Sequence, residues 1–86
     1  MPEISRFLGI SIYMYFTDHN PPHIHVRYNN FRAIFSVRNC NLMEGTMTKR
    51  AILLVKEWMV LHQHELYENW ESLQWTGKYK KIQPLE

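Results

Sequence analysis

The chain is short of cysteine, of charge of one sign, and of any long apolar run. Cys40 is the single cysteine, so no disulfide forms within the chain and no multi-cysteine zinc site is available. A lone thiol suits a reducing compartment. Ten Lys and Arg against eight Asp and Glu leave a net charge of +2. That is not the footprint of a strongly basic nucleic-acid coat protein, although it leaves room for a local basic patch. The longest apolar run, Ala51 to Val55, falls far below the roughly 20 residues of a membrane-spanning helix. Glu3 and Arg6 interrupt the N-terminus, which does not read as a signal peptide. Repeats, low-complexity tracts and Gly/Ser linkers are missing as well. The expectation is a cytoplasmic chain with no membrane partner.

What remains is enough for one core. Apolar residues make up 45% of the 86 and aromatics 14%, which separates the chain from disordered compositions. A second core would have to be built from roughly 40 residues, near the limit for folding alone, so residues 1–86 read as a single domain. A domain of this size buries only about 60–65% of its unfolded surface. A thin core makes a second copy of the chain a candidate partner in a homodimer.

The first half alternates. From Phe7 to Phe16, residues Ile10, Ile12, Met14 and Phe16 fall on one face and Ser11, Tyr13, Tyr15 and Thr17 on the other, the period of a strand. Asp18-His19-Asn20-Pro21-Pro22 stops it, since proline cannot donate to a ladder and Asp and Asn favour turns. A second strand is expected over His23–Tyr28, a turn at Asn29-Asn30, and a third strand over Phe31–Val37. Arg38 to Asn41 forms a further turn, and Asn41 to Glu44 a short fourth strand. Strands therefore occupy about 7–44.

The second half has helical spacing. Ala51, Leu54, Val55, Trp58, Leu61, His62, Leu66, Trp70 and Leu73 recur at steps of three and four. Thr46 or Thr48 can cap the start and Gly77 the end, giving one long helix over about 48–75. A tail, 78–86, follows, with Ile82 and Leu85 able to tuck back. The fold class is α+β: a small antiparallel sheet of three to four strands packed on one long C-terminal helix.

Three of the five histidines fall between His19 and His25. On the second strand His23, His25 and Arg27 share one face and Ile24, Val26 and Tyr28 the other. The apolar set is the core side, so the imidazoles face away from the helix. Arg32, Ser36 and Arg38 join them from the third strand, and Tyr13 and Tyr15 from the first. Two imidazoles supply a base and an acid for phosphodiester cleavage without a metal. Arginines stabilise the developing charge, and aromatics stack bases. On this reading Asp18, His19, His23 and His25 are the catalytic candidates, with Asp18 orienting an imidazole. Arg27, Arg32, Arg38, Tyr13 and Tyr15 hold RNA as the substrate. No cofactor is called for.

Two other readings use the same residues. His-x-His puts two imidazoles on one side of a strand, and Asp18 or His19 could complete a metal site. No acidic residue follows where one would be wanted, and Arg27 is a neighbouring cation, so the expected metal is none. A non-enzymatic module that docks protein or nucleic acid through this face is the other alternative. His62 and His64 lie about 200° apart on a helix and form no facing pair.

Met1 to Ile10 follow Met-Pro-x-Ile-Ser-x-Phe-x-Gly-Ile, and Met14 to His25 follow Met-Tyr-Phe-x-Asp-His-x-Pro-Pro-His-x-His. With Arg50 to Trp58, Glu65-Leu66 and Asn69-Trp70, and Lys80 to Leu85, these motifs resemble those of a small prokaryotic family of domains of unknown function. The family's gene neighbourhoods resemble toxin–antitoxin modules. The resemblance implies the toxin component of a type II toxin–antitoxin system with a small antitoxin protein as partner. Combined with the histidine face, the expectation is a metal-independent ribonuclease or other RNA-directed enzyme.

Overall fold

A computed structural model describes residues 2–86. Five strands, β1 (Glu3–Phe7), β2 (Ile10–Tyr13), β3 (His23–Tyr28), β4 (Phe31–Ser36) and β5 (Leu42–Gly45), precede one helix, α1 (Lys49–Thr76). Each strand pairs antiparallel with the next in chain order. The sheet has five strands, not three to four. The strand expected from Phe7 to Phe16 spans only Ile10–Tyr13, and the added strand, Glu3–Phe7, lies upstream of the expected start at about residue 7: Leu8 (φ 51°) and Gly9 (φ 81°) reverse the chain, and Phe7 pairs with Ile10. Two consecutive positive φ values define the tight turn that matches strand twist. Leucine in its first position gives no turn signal, which is why the segment reads as continuous. The second arm ends at Tyr13, and Phe16, expected on the core face, lies in the following loop at 62% exposure.

The other expected turn conforms. Asn29 (φ 54°) leads a two-residue connection closed by the Tyr28–Phe31 pair. Asparagine tolerates this conformation because its short polar side chain bonds locally. Gly45 (φ 88°) is required for a second reason. A Cβ there would stand 2.2 Å from the carbonyl oxygen of Arg32, inside the contact limit of the strand beside it.

Alternation places Ile24, Val26 and Phe35 in the core at 0–1% exposure. Ile4, Ile10, Ile12 and Met14 join them from the first hairpin and its exit, and Val55, Trp58, Met59 and Leu66 from α1. Thr48 caps the helix, its Oγ1 accepting from Ala51 N–H at 3.1 Å. Gly77 ends it in a left-handed turn, donating to the Leu73 carbonyl. Leu61 is a correction: it is 66% exposed. At 100° per residue it lies about 120° from the centre of the buried stripe.

The helix is not straight. His62 leaves helical geometry (φ −121°, ψ 20°). There the Gln63 amide donates to the Val37 and Arg38 carbonyls at 2.7 and 2.9 Å. The His62 ring rests on Trp58 and its Nδ1 meets Glu65 Oε1 at 2.6 Å. The second half of α1 is thus aimed separately from the first. The tail returns along β1, with Ile82 N–H donating to the Ile4 carbonyl at 2.8 Å and Ser5 Oγ donating to the Ile82 carbonyl at 3.0 Å. This covers an edge that would otherwise offer unpaired backbone groups. Among the described residues no helix is long and apolar enough to cross a membrane.

Candidate functional site

The loop between β2 and β3 folds back onto the open face of the sheet. Asp18 N–H donates to the Tyr15 carbonyl, and Tyr15 N–H donates to Asp18 Oδ2 at 3.2 Å. This closed turn aims the carboxylate at β3. There Asp18 Oδ1 and Oδ2 lie 3.3 and 3.1 Å from His25 Nε2, and Oδ2 lies 3.5 Å from His23 Nε2. The side chains of Asp18 and His23 are 14% exposed and that of His25 28%. The two imidazoles meet edge to face, with ring centres 5.2 Å apart, and Tyr15 closes on His25 at 4.7 Å.

The loop is held from the far end of the chain. The Trp70 indole donates to Asn20 Oδ1 at 3.2 Å, the Gln74 amide donates to the Asp18 carbonyl at 3.0 Å, and the His23 ring packs on Trp70 at 5.2 Å. Trp70 and Gln74 stand on the second half of α1, which the bend at His62 directs there. These two positioning residues are not apparent from the sequence pattern, where Trp70 reads as a core anchor and Gln74 carries no signal. A clue is that a buried indole N–H needs an acceptor.

Beside the cluster lies a groove of about 360 Å³ lined by Tyr15, His25, Arg27, Arg32, Ile34 and Glu44 among others. Its floor is set by register: His25 pairs with Tyr13 on one side and Ile34 on the other, and Arg27 stands directly opposite Arg32. Like charges opposite one another in a ladder are destabilising by roughly 0.2–1 kcal/mol. Among the described residues neither arginine is in an ion pair. Burial pushes the Tyr15 phenol above its ordinary value; Tyr13 and Asp18 push the same way, and Arg27 and Arg32 oppose them. Tyr15 therefore feels both the carboxylate and the two guanidinium groups.

Of the residues expected at the site, Asp18, His23 and His25 converge, and Arg27, Arg32 and Tyr15 line the adjoining groove. Tyr13 stacks on Tyr15 with ring centres 6.3 Å apart but is only 8% exposed. It backs Tyr15 and has little ring left for a base. His19 lies in the loop, outside the metal-capable cluster. Arg38 lies past the end of β4, its carbonyl taken by Gln63 and its side chain not among those lining the groove. Both Nε2 atoms meet the same carboxylate, which ties the two expected acid–base imidazoles to Asp18.

A family model described as Domain of unknown function (DUF4160) matches residues 9–71, and the chain belongs to that family. The matched span contains Asp18, His23, His25, Arg27, Arg32 and Trp70. No curated protein and no solved structure matches the chain.

Proposed function

We propose that this DUF4160 chain is the toxin of a toxin–antitoxin pair and acts on RNA through the open face of its sheet. The toxin reading comes from the resemblance carried by Met14 to His25. The RNA reading comes from chemistry, and one observation carries it: Arg27 and Arg32 stand opposite each other and, among the described residues, form no ion pair, in a groove shared with His25 and Glu44. Two arginines paired across the ladder and lining one groove suit an anion with several oxygens, such as a phosphodiester. The flat, half-buried ring of Tyr15 at the same groove suits a nucleobase. The Asp18–His23–His25 cluster at the end of the groove is the reacting centre. The antitoxin is a small protein that places an acidic segment over Arg27 and Arg32, where opposite charge speeds capture.

Induced expression of wild type beside His25→Ala and the double variant Arg27→Ala/Arg32→Ala tests this, with growth and RNA integrity followed together. Wild type should arrest growth and degrade RNA, and His25→Ala should do neither. In vitro, the double variant should bind single-stranded RNA with a salt slope shallower by about 1.4, roughly 0.7 for each phosphate no longer neutralised. Growth arrest with intact RNA would show that the substrate is not RNA. Arrest by His25→Ala equal to wild type would remove the reacting centre from this cluster.

A further inference from the structure

We infer that Asp18, His23 and His25 bind a divalent transition-metal ion of the zinc type, with one carboxylate oxygen and the two Nε2 atoms as ligands. Their ligand atoms lie within 4.8 Å of one another. Zinc holds imidazole nitrogen and carboxylate oxygen at about 2.0–2.1 Å in a tetrahedron, which puts neighbouring ligand atoms roughly 3.3 Å apart. Asp18 Oδ2 stands 3.1 Å from His25 Nε2 and 3.5 Å from His23 Nε2, on either side of that value.

Spacing alone fits hydrogen bonds as well, and the tautomer of His23 separates the two. Its Nδ1 lies 2.8 Å from the Pro21 carbonyl oxygen. A carbonyl only accepts, so Nδ1 carries the proton. In the neutral ring Nε2 then holds a bare lone pair, and it faces the Asp18 carboxylate. Two acceptors at that range repel unless a cation stands between them. An imidazole whose Nδ1–H is fixed by a carbonyl, leaving Nε2 free, is the usual arrangement of a metal-binding histidine. Asp18 is oriented too, by Tyr15 N–H at 3.2 Å, and its loop is pinned by Gln74 and Trp70. His23 and Asp18 are therefore held before any ion arrives, and the Tyr15 ring flanks His25.

Arg27, which argued against a cation from sequence, is two residues along the strand from His25, roughly 6.6 Å in backbone rise. Two imidazoles and one carboxylate suit zinc, iron or nickel rather than magnesium or calcium, which take oxygen ligands. Three protein ligands leave a coordination position open for water or substrate. A bound ion would supply a Lewis acid, and a water acidified by it, at the end of the arginine groove. The site stands on ligand geometry and does not depend on RNA being the substrate.

The test is calorimetric titration of zinc chloride into the full chain after chelator treatment and desalting, with no RNA present. One equivalent of zinc should bind. Asp18→Asn, His23→Ala and His25→Ala should each weaken binding by more than about 100-fold, since loss of an outer-shell partner alone costs 10–100-fold. His19→Ala and His64→Ala should leave affinity within about threefold of wild type, the ordinary scatter among surface substitutions that touch no ligand. Asp18→Asn changes volume least, and helical circular dichroism on each variant reports whether the fold survives. If wild type takes up no zinc, or one equivalent binds equally well in all three ligand variants, the metal site is overturned. Zinc binding without RNA cleavage would leave the metal site standing and overturn only the RNA reading.

Discussion

Ile24 and Val26 leave one face of β3 for the helix, and His23, His25 and Arg27 leave the other. The two faces share a backbone and differ in what they demand. The helix side needs apolar volume, supplied by aliphatic residues and Trp58, where each atom pair contributes little and the sum is large. The open side needs particular atoms at particular distances: one carboxylate, two Nε2 atoms and two guanidinium groups. The first is built by alternation over neighbouring residues. The second depends on a loop whose anchors come from positions 70 and 74. The contrast gives the two faces opposite responses to substitution.

The largest effect belongs to the helix side. Trp58→Ala removes the largest fully buried side chain, along with its indole donation to the Gln83 carbonyl at 2.9 Å. It should cost about 3–5 kcal/mol in urea unfolding, a large fraction of the stability of a domain this small. His25→Ala, on the other face, should lower RNA cleavage by at least about 100-fold, as loss of a proton-handling or metal-holding group does, and leave the urea midpoint within reach of wild type. If His25→Ala unfolds the chain as Trp58→Ala does, the open face is structural and the distinction between the faces fails.

Trp70→Phe sharpens the comparison, because Trp70 touches both regions: it is 4% exposed and also donates to Asn20. Phenylalanine keeps most of the ring and loses the donor. The cost in stability should be about 0.5–1.5 kcal/mol, the net worth of one hydrogen bond, while zinc affinity falls roughly tenfold as the loop loosens, the lower end for an outer-shell partner. A stability loss with unchanged zinc affinity would mean that the indole serves packing alone.

The smallest effect comes from Cys40, which is buried beside the core. Burial pushes its thiol above the ordinary value, and Lys56 pulls it back by less. A thiol whose value is raised in the fold leaves stability intact below the unfolded value and lowers it as pH climbs through the folded one. Urea midpoints should therefore fall slightly more between about pH 7 and pH 10 for wild type than for Cys40→Ala. Equal declines would show that the thiol does not feel the core. Alkylation by an exposed-thiol reagent should be slow near neutral pH for the same reason.

Much of this was legible in the sequence where punctuation bracketed a strand. Pro21-Pro22 and Asn29-Asn30 fix both ends of β3, so its register followed from a period of two, although His23, expected to face away from the helix, meets Trp70 at the far end of α1. The first hairpin was not legible, because Leu8 occupies a position where Asn, Asp or Gly would announce a turn. Nor was the bend at His62, since neither proline nor glycine marks it and the Gln63 bonds beside it reach to the distant turn after β4. Proximity along the chain grouped Asp18 with His19, His23 and His25. It could not say that His19 would stay outside the cluster while Asp18 reached His25. That separation is decided by the turn at Tyr15–Asp18 and by anchors 50 and 56 positions distant.

The central claim is that Asp18, His23 and His25 act as one unit, with His23 fixed as the Nδ1–H tautomer. Long-range nitrogen–proton correlation spectra of the five imidazoles, recorded near neutral pH before and after one equivalent of zinc, test it most directly. Before zinc, His23 should show a protonated Nδ1 and a bare Nε2. After zinc, the Nε2 signals of His23 and His25 should move to metal-bound positions while His19, His62 and His64 stay where they were. A protonated Nε2 on His23, or a zinc response centred on His62 or His64, would contradict the account.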